Sequence, residues 1–130
     1  MIDVEATCWE SSSPEGQVSE IIEVGVCVVD IEARERVERD RILVQPETSR
    51  VSDFCEQLTG LTQAEVDRGV DFREACALLA ERHRGTSRRW ASWGDYDRKQ
   101  FQRQCTGRDV PYPFVPGTST SRRSSPKCTA

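Results

Sequence analysis

The run Glu20-Ile21-Ile22-Glu23-Val24-Gly25-Val26-Cys27-Val28-Val29-Asp30 is rich in β-branched residues and has few charges inside it. Branching at Cβ stiffens χ1 and favours a pleated backbone. With so little alternation, the run predicts a strand buried on much of both faces. On its C-terminal side, Arg34 to Val44 carries Val37, Ile42 and Val44 among charges and reads as a partner strand. The connection between the two is too short for a crossover, so the pair is predicted to be antiparallel. On its N-terminal side, Ile2 to Ala6 reads as a short strand, separated by the polar loop Ser11 to Gly16.

Helices follow. Ser52 to Leu58 is bounded by Ser52 or Val51 at its start and by Gly60 just past its end. Thr62 and Glu65 have the spacing of a capping box at the start of a second helix. Asp71 to His83 is the clearest helix, capped by Asp71, with Phe72, Cys76, Leu79 and His83 recurring on one face. Arg88 to Trp93 returns as a strand, and Tyr96 to Cys105 forms a helix with Phe101 and Cys105 on one side. Three strands, helices, a strand and a helix imply an α/β domain, an open mixed sheet with helices on its faces.

A length of 130 residues suffices for one small domain. Hydrophobic residues make up 36% and charged residues 31%, a soluble globular balance with no run able to cross a membrane. The net charge of −4 argues against a high-affinity, sequence-independent nucleic-acid binder. It leaves room for a nuclease, which needs clustered carboxylates and only local basic patches. Six cysteines without any C-x-x-C pair, and a single histidine, exclude zinc-site spacing. Met1-Ile2-Asp3 shows no signal peptide, so the cysteines are expected to act as small core residues in a cytoplasmic protein. Val115 to Ala130 has almost no large apolar residue and is expected to be a disordered tail.

Two places can carry chemistry. Asp3 and Glu5 lie two residues apart on a strand, so their carboxylates share a face. That arrangement can hold divalent cations in an oxygen cage, and two ions about 4 Å apart can stabilise both oxygens of a phosphodiester displacement. Ordinary surface alternation on an edge strand gives the same pattern. Ser92-Trp93-Gly94-Asp95-Tyr96-Asp97 falls at a strand-to-helix junction, where Asp95 or Asp97 could add a carboxylate or could simply cap the helix. Trp93 is the better placed of the tryptophans to stack on a base, whereas Trp90 reads as core. His83, on an apolar helix face, reads as a structural histidine rather than a general base. Leu58-Thr59-Gly60-Leu61-Thr62 is explained as a helix stop followed by a helix start.

As an ordered set, several segments resemble the DEDDh (DnaQ-like) 3′→5′ exonucleases, in particular the branch of ERI-type and KapD-like proteins. They are Asp3-Val-Glu-Ala-Thr-Cys-Trp9, Glu20-Ile-Ile-Glu-Val-Gly25, Leu43-Val-Gln-Pro46, Ser52-Asp-Phe-Cys55, Leu58-Thr-Gly-Leu-Thr-Gln63 and Trp93-Gly-Asp-Tyr-Asp97. The resemblance covers residues 2 to 114. It implies an RNase H-like fold and hydrolysis at the 3′ end of RNA or single-stranded DNA. It makes Asp3, Glu5 and Asp97 the catalytic metal ligands. Asp97 is preferred to Asp95 because Asp97-Arg-Lys-Gln-Phe101 matches the family's helix start. The backbone at Ala6 and Thr7, the Leu58-Thr59 turn and Trp93 would face the terminal nucleotide. Oxygen donors point to Mg²⁺ or Mn²⁺, two ions in an intact family site.

The family continues with a third motif, a histidine base and a final aspartate, that this sequence does not show. Residues 1–114 are therefore expected to be the N-terminal portion of an exonuclease domain and 115–130 a tail foreign to the family. Back-translated with permitted codons, Val115 to Ala130 reads in another frame as P-G-H-L-N-V-K-A-L-F-A-Q-V-H-G, a family-like continuation. The expectation is a frameshift just after Phe114, checked by the genomic sequence across that codon. It carries two consequences: impaired catalysis, and poor solubility from an uncovered apolar side of Glu20 to Asp30. The alternative function is an inactive remnant that at most binds metal or nucleic acid weakly.

Overall fold

The computed structural model describes residues 1–115 and 119–121. Three strands, β1 (Ile2–Ala6), β2 (Ile21–Asp30) and β3 (Glu35–Leu43), form an antiparallel sheet in that spatial order. The β1–β2 register pairs Asp3 with Gly25 and Glu5 with Glu23, with an irregularity between Glu5 and Ala6. After three helices, α1 (Asp53–Thr59), α2 (Gln63–Val66) and α3 (Phe72–Glu81), the chain returns as β4 (Ala91–Trp93) beside β1 and enters α4 (Tyr96–Arg108).

The helix boundaries follow from local chemistry. Ser52 accepts the Cys55 N–H at 3.0 Å to cap α1, and Gly60 ends it with φ 77°, a left-handed conformation that glycine adopts without a Cβ clash. Thr62 and Glu65 close a full capping box on α2. Asp71 accepts from Glu74 N–H at 2.7 Å and caps α3.

The core lies on both sides of β2. Ile21, Val24 and Val26 pack with Phe72, Leu79, Phe101 and Phe114, while Ile22 packs with Cys55, Leu61 and Val66 from α1 and α2. This corrects the expectation of an uncovered apolar strand for its first part: Ile21, Ile22, Val24, Val26 and Cys27 are buried, because helices reach β2 from both sides, whereas Val28 is half-buried and Val29 exposed. Val29, Ile31 and Val37 are exposed at the β2–β3 hairpin end, as are Val18, Phe54, Leu58 and Tyr96 elsewhere.

Three boundaries differ from the sequence reading. Helix α3 ends at Glu81, leaving His83 just beyond it yet buried. The strand expected from Arg88 begins only at Ala91, because Arg84 adopts φ 53° and its carbonyl accepts the N–H groups of Ser87 and Arg88 in a turn. Within the tail, Ser119–Ser121 forms a short strand, β5, parallel to β4, so the sheet has a two-strand annex in place of one continuous ladder. Strand pairing uses backbone groups, so an open edge on β4 can recruit a segment with no apolar pattern. Residues 116–118 and 122–130, on which the expectation of a disordered tail also falls, lie outside the described residues. No helix among the described residues is long and apolar enough to cross a membrane.

Candidate active site

Strand β1 buries Ile2, Val4 and Ala6 and leaves Asp3 and Glu5 half-buried between them. The period of two thus puts both carboxylates on the face turned away from the core. Asp97 enters from the first turn of α4, which packs against β1, and is only 4% exposed. The junction's two aspartates differ in their surroundings. Asp95 occupies the N-cap position but caps no backbone N–H, and it pairs with Arg98 at 3.0 Å instead. Gly94, with φ 79°, makes the sharp turn between β4 and α4, and Ser92 Oγ donates to its carbonyl at 2.7 Å.

Tyr96 lies between Glu5 of β1 and Asp97 of α4 in its electrostatic surroundings. Burial raises its phenol above the ordinary value, and the neighbouring Asp97, Cys8 and Glu5 raise it further. The residue as a whole is 57% exposed, an aromatic beside Glu5 and Asp97. Sequence reasoning passed over this residue in favour of Trp93, whose side chain lies outside the described residues. The signal was present in the sequence, since Tyr96 directly precedes Asp97.

The remaining expected contacts divide. Leu58 projects from the last turn of α1 and is exposed. Thr59 turns its hydroxyl inward, donating to Cys55 O at 2.8 Å and accepting from Leu61 N–H at 3.1 Å. Ala6 is buried, and its carbonyl accepts from Cys55 Sγ at 3.6 Å. Thr7 is fully buried, and its N–H donates to Glu20 O at 2.8 Å. Its hydroxyl accepts from Glu20 N–H at 2.8 Å and bonds Ser49 Oγ at 2.9 Å. Thr7 is therefore engaged by the fold.

Residues that no motif flagged hold the site in place. The buried Glu20 carboxylate accepts from the backbone N–H groups of Glu47, Thr48 and Ser49 at 2.9, 2.9 and 2.7 Å and pairs with Arg108 at the end of α4. Gln104 accepts the Ile21 N–H at 2.9 Å, and Gln100 donates to Ser19 O at 3.2 Å. Helix α4, poor in apolar residues, is thus fastened to the start of β2 by buried polar side chains, and this fastening positions Asp97. His83 is absent from this gathering. Its Nε2 lies 2.8 Å from Asp40 Oδ2, and its Nδ1 lies 3.1 Å from Glu38 Oε1, near enough to pair but off the hydrogen-bond axis.

The donor set fits a hard divalent cation in kind, being three carboxylates. It does not form a ready cage: among the described residues, no three His, Cys, Asp or Glu side chains converge closely enough to hold an ion.

A mixed α/β domain with this sheet order and paired carboxylates on its first strand has the RNase H-like fold of DEDDh nucleases. The chain belongs to the exonuclease family (RNase_T), whose model matches residues 1–101. It is 34% identical over 121 residues to human 3′-5′ exoribonuclease 1, covering 87% of this chain and 34% of that protein. It is 30% identical over 116 residues to the probable 3′-5′ exonuclease KapD of Bacillus subtilis, covering 88% of this chain and 56% of that one. Among solved structures it is similar to the nuclease domain of 3′hExo, a DEDDh family member bound to rAMP. The TM-score is 0.75 at 34% identity, over 86% of this chain and 60% of that one. A second similar structure, of a 3′-exonuclease in 3′-end recognition of a histone mRNA stem-loop, has a TM-score of 0.68 at 35% identity. It covers 85% of this chain and 52% of that one. The chain thus spans from a third to just over half of the curated relatives named here.

Proposed function

We propose that this chain is the metal-binding portion of a 3′→5′ exonuclease domain that hydrolyses phosphodiester bonds at the 3′ end of RNA or single-stranded DNA. What supports this reading is the placing of Asp3 and Glu5 on one face of β1 and of Asp97 in the first turn of α4, which packs against β1, beside an exposed aromatic, Tyr96. The three carboxylates are assigned to hold Mg²⁺ or Mn²⁺, completed by substrate phosphate, water or a further carboxylate. Bound there, such ions supply an activated water and neutralise charge on the leaving oxygen, a two-metal scheme. Tyr96 and Leu58 offer flat and apolar surfaces for the terminal base, with Trp93 as a third candidate. The backbone of Ala6 and Thr7 and the Thr59 turn shape the floor. RNA is the favoured substrate, because one relative named above is an exoribonuclease and a similar structure recognises the 3′ end of a histone mRNA stem-loop.

A second reading rests on His83. It is the sequence's single histidine, and Asp40 and Glu38 hold it on β3. The chain then lacks a histidine base at the site, and its hydrolysis is impaired or lost while weak metal or nucleic-acid binding survives. Residues 115–130 are proposed to be foreign to the exonuclease domain.

Mn²⁺-dependent degradation of 3′-labelled and 5′-labelled single-stranded RNA and DNA, with Asp3→Ala beside it and Mn²⁺ binding measured in parallel, separates these readings. Stepwise shortening from the 3′ end, abolished by Asp3→Ala, establishes the exonuclease. Mn²⁺ binding lost in Asp3→Ala without any shortening establishes the remnant. Mn²⁺ binding unchanged by Asp3→Ala would sink both.

A further inference from the structure

Cys8 follows β1 three residues after Glu5, and Cys55 sits in the first turn of α1. Cys8 lies against the cluster that contains Cys55, and both thiols are free. Their backbones are tied as well. Ser52 Oγ donates to Cys8 O at 2.7 Å and accepts the Cys55 N–H at 3.0 Å, while Cys55 Sγ donates to Ala6 O at 3.6 Å. Cys8 also packs against the cluster formed by Ile22, Cys55, Leu61 and Val66. Cys55 is fully buried, but Cys8 is half-buried at the surface beside Glu5 and Tyr96.

We propose that Cys8 and Cys55 form an oxidisable dithiol, a modification site for low-molecular-weight disulfides. Closing it fastens the segment after Glu5 to the helix that carries Leu58 and Thr59. The reaction is ordinary exchange. Cys8, as thiolate, attacks one sulfur of the reagent disulfide, forming a mixed disulfide and releasing one thiol. Cys55 then gives up its proton and attacks the Cys8 sulfur, and the second reagent thiol leaves. Two protein thiols are oxidised to one disulfide, and one reagent disulfide is reduced to two thiols. Cys8 is the entry point because it is the less buried partner; burial, Cys55 and Glu5 push its thiol up to about 11, so the exchange is run in alkaline buffer. Cys55 resolves because it belongs to the cluster against which Cys8 packs.

The bond closes a long loop, from residue 8 to residue 55, and removes freedom from the unfolded chain. It also couples the strand of the candidate carboxylates to the helix of the candidate base-contacting turn. The cross-link itself does not depend on the chain being a nuclease, so its test is chemical.

The native chain is incubated with oxidised glutathione, alkylated, digested without reduction and mapped by mass spectrometry, with Cys8→Ser and Cys55→Ser alongside. The expected result is a peptide pair joined through Cys8 and Cys55 in the wild-type chain and in neither variant. A rise in melting temperature of about 5 °C or more should accompany it. Glutathione retained on Cys8 without transfer to Cys55 overturns the proposal. So does a Cys8 cross-link to any other cysteine. In Cys55→Ser, a stable glutathione adduct at Cys8 is expected, because the resolving thiol is gone; an unmodified Cys8 there counts against its role as entry point.

Discussion

Glu20 shows how much one buried carboxylate can organise. It accepts three consecutive backbone N–H groups from residues 47–49 and pairs with Arg108, so it joins β2, a loop and the end of α4. Its removal strands those donors and a guanidinium in a desolvated place. Glu20→Ala should lower unfolding free energy by about 3–5 kcal/mol, read from urea denaturation, with Glu20→Gln intermediate because it retains one acceptor oxygen. A change below about 1 kcal/mol would mean that water replaces the carboxylate. Asp3 and Glu5 were legible beforehand because strand alternation is a local rule. Thr7 was less so: its motif position pointed toward substrate, but its hydroxyl is occupied by Glu20 and Ser49, residues far along the chain. The same distance hid Gln100 and Gln104, whose partners lie at the start of β2.

Elements were read best where their ends are encoded by caps. Ser52, Thr62 and Asp71 each cap the helix expected of them, because capping involves residues only three apart. The start of β4 failed because it depends on a left-handed turn at Arg84, a residue type that gives no such signal. Close approach between elements was invisible too. A Cβ on Gly69 would lie 2.5 Å from the Leu43 carbonyl carbon and oxygen, and neighbouring Val70 bridges Val44. Gly69→Ala must push backbone from backbone and should cost about 2 kcal/mol, with faster amide exchange at Val44 and Val70. Within β3, Asp40 joins the hairpin to His83 and Arg82 beyond α3. Burial works to raise its carboxyl, but the His83 hydrogen bond, the Arg41 N–H and the nearby positive charges hold it below the ordinary 3.8. A depressed acid stabilises fully above its unfolded value, and that contribution fades as pH falls through 3.8 toward the lower folded value. Asp40→Asn should therefore be less stable at neutral pH and show a flatter acid limb. Parallel pH–stability curves for the two proteins would count against the link.

At the scale of the molecule, strand and helix order was legible, because each element carries its own period and the set admits few arrangements. Where the folded unit stops was harder, since a boundary is a matter of packing. Phe114 gives it a physical definition. Its ring stacks on Trp90 at 4.1 Å and meets Phe101 and Tyr112 edge-on at 4.9 and 5.7 Å. Gly85 permits the chain to pass there, since a Cβ on it would lie 2.2 Å from Pro113 O. These contacts join α4 to the start of β4, so Phe114 belongs to the core, and Phe114→Ala should cost about 3 kcal/mol or more. Beyond it, the described contribution of the tail is the pairing of Ser119–Ser121 with Ala91–Trp93. A pairing of three residues adds few backbone hydrogen bonds, so it should stabilise weakly. A chain ending at Val115, with thiols kept reduced, is accordingly expected to melt within a few degrees of the full chain. It should keep the same near-ultraviolet signal from the Trp90–Phe114 stack. A fall comparable to that of Phe114→Ala would place the tail inside the folded unit, and the domain boundary would then lie beyond β5.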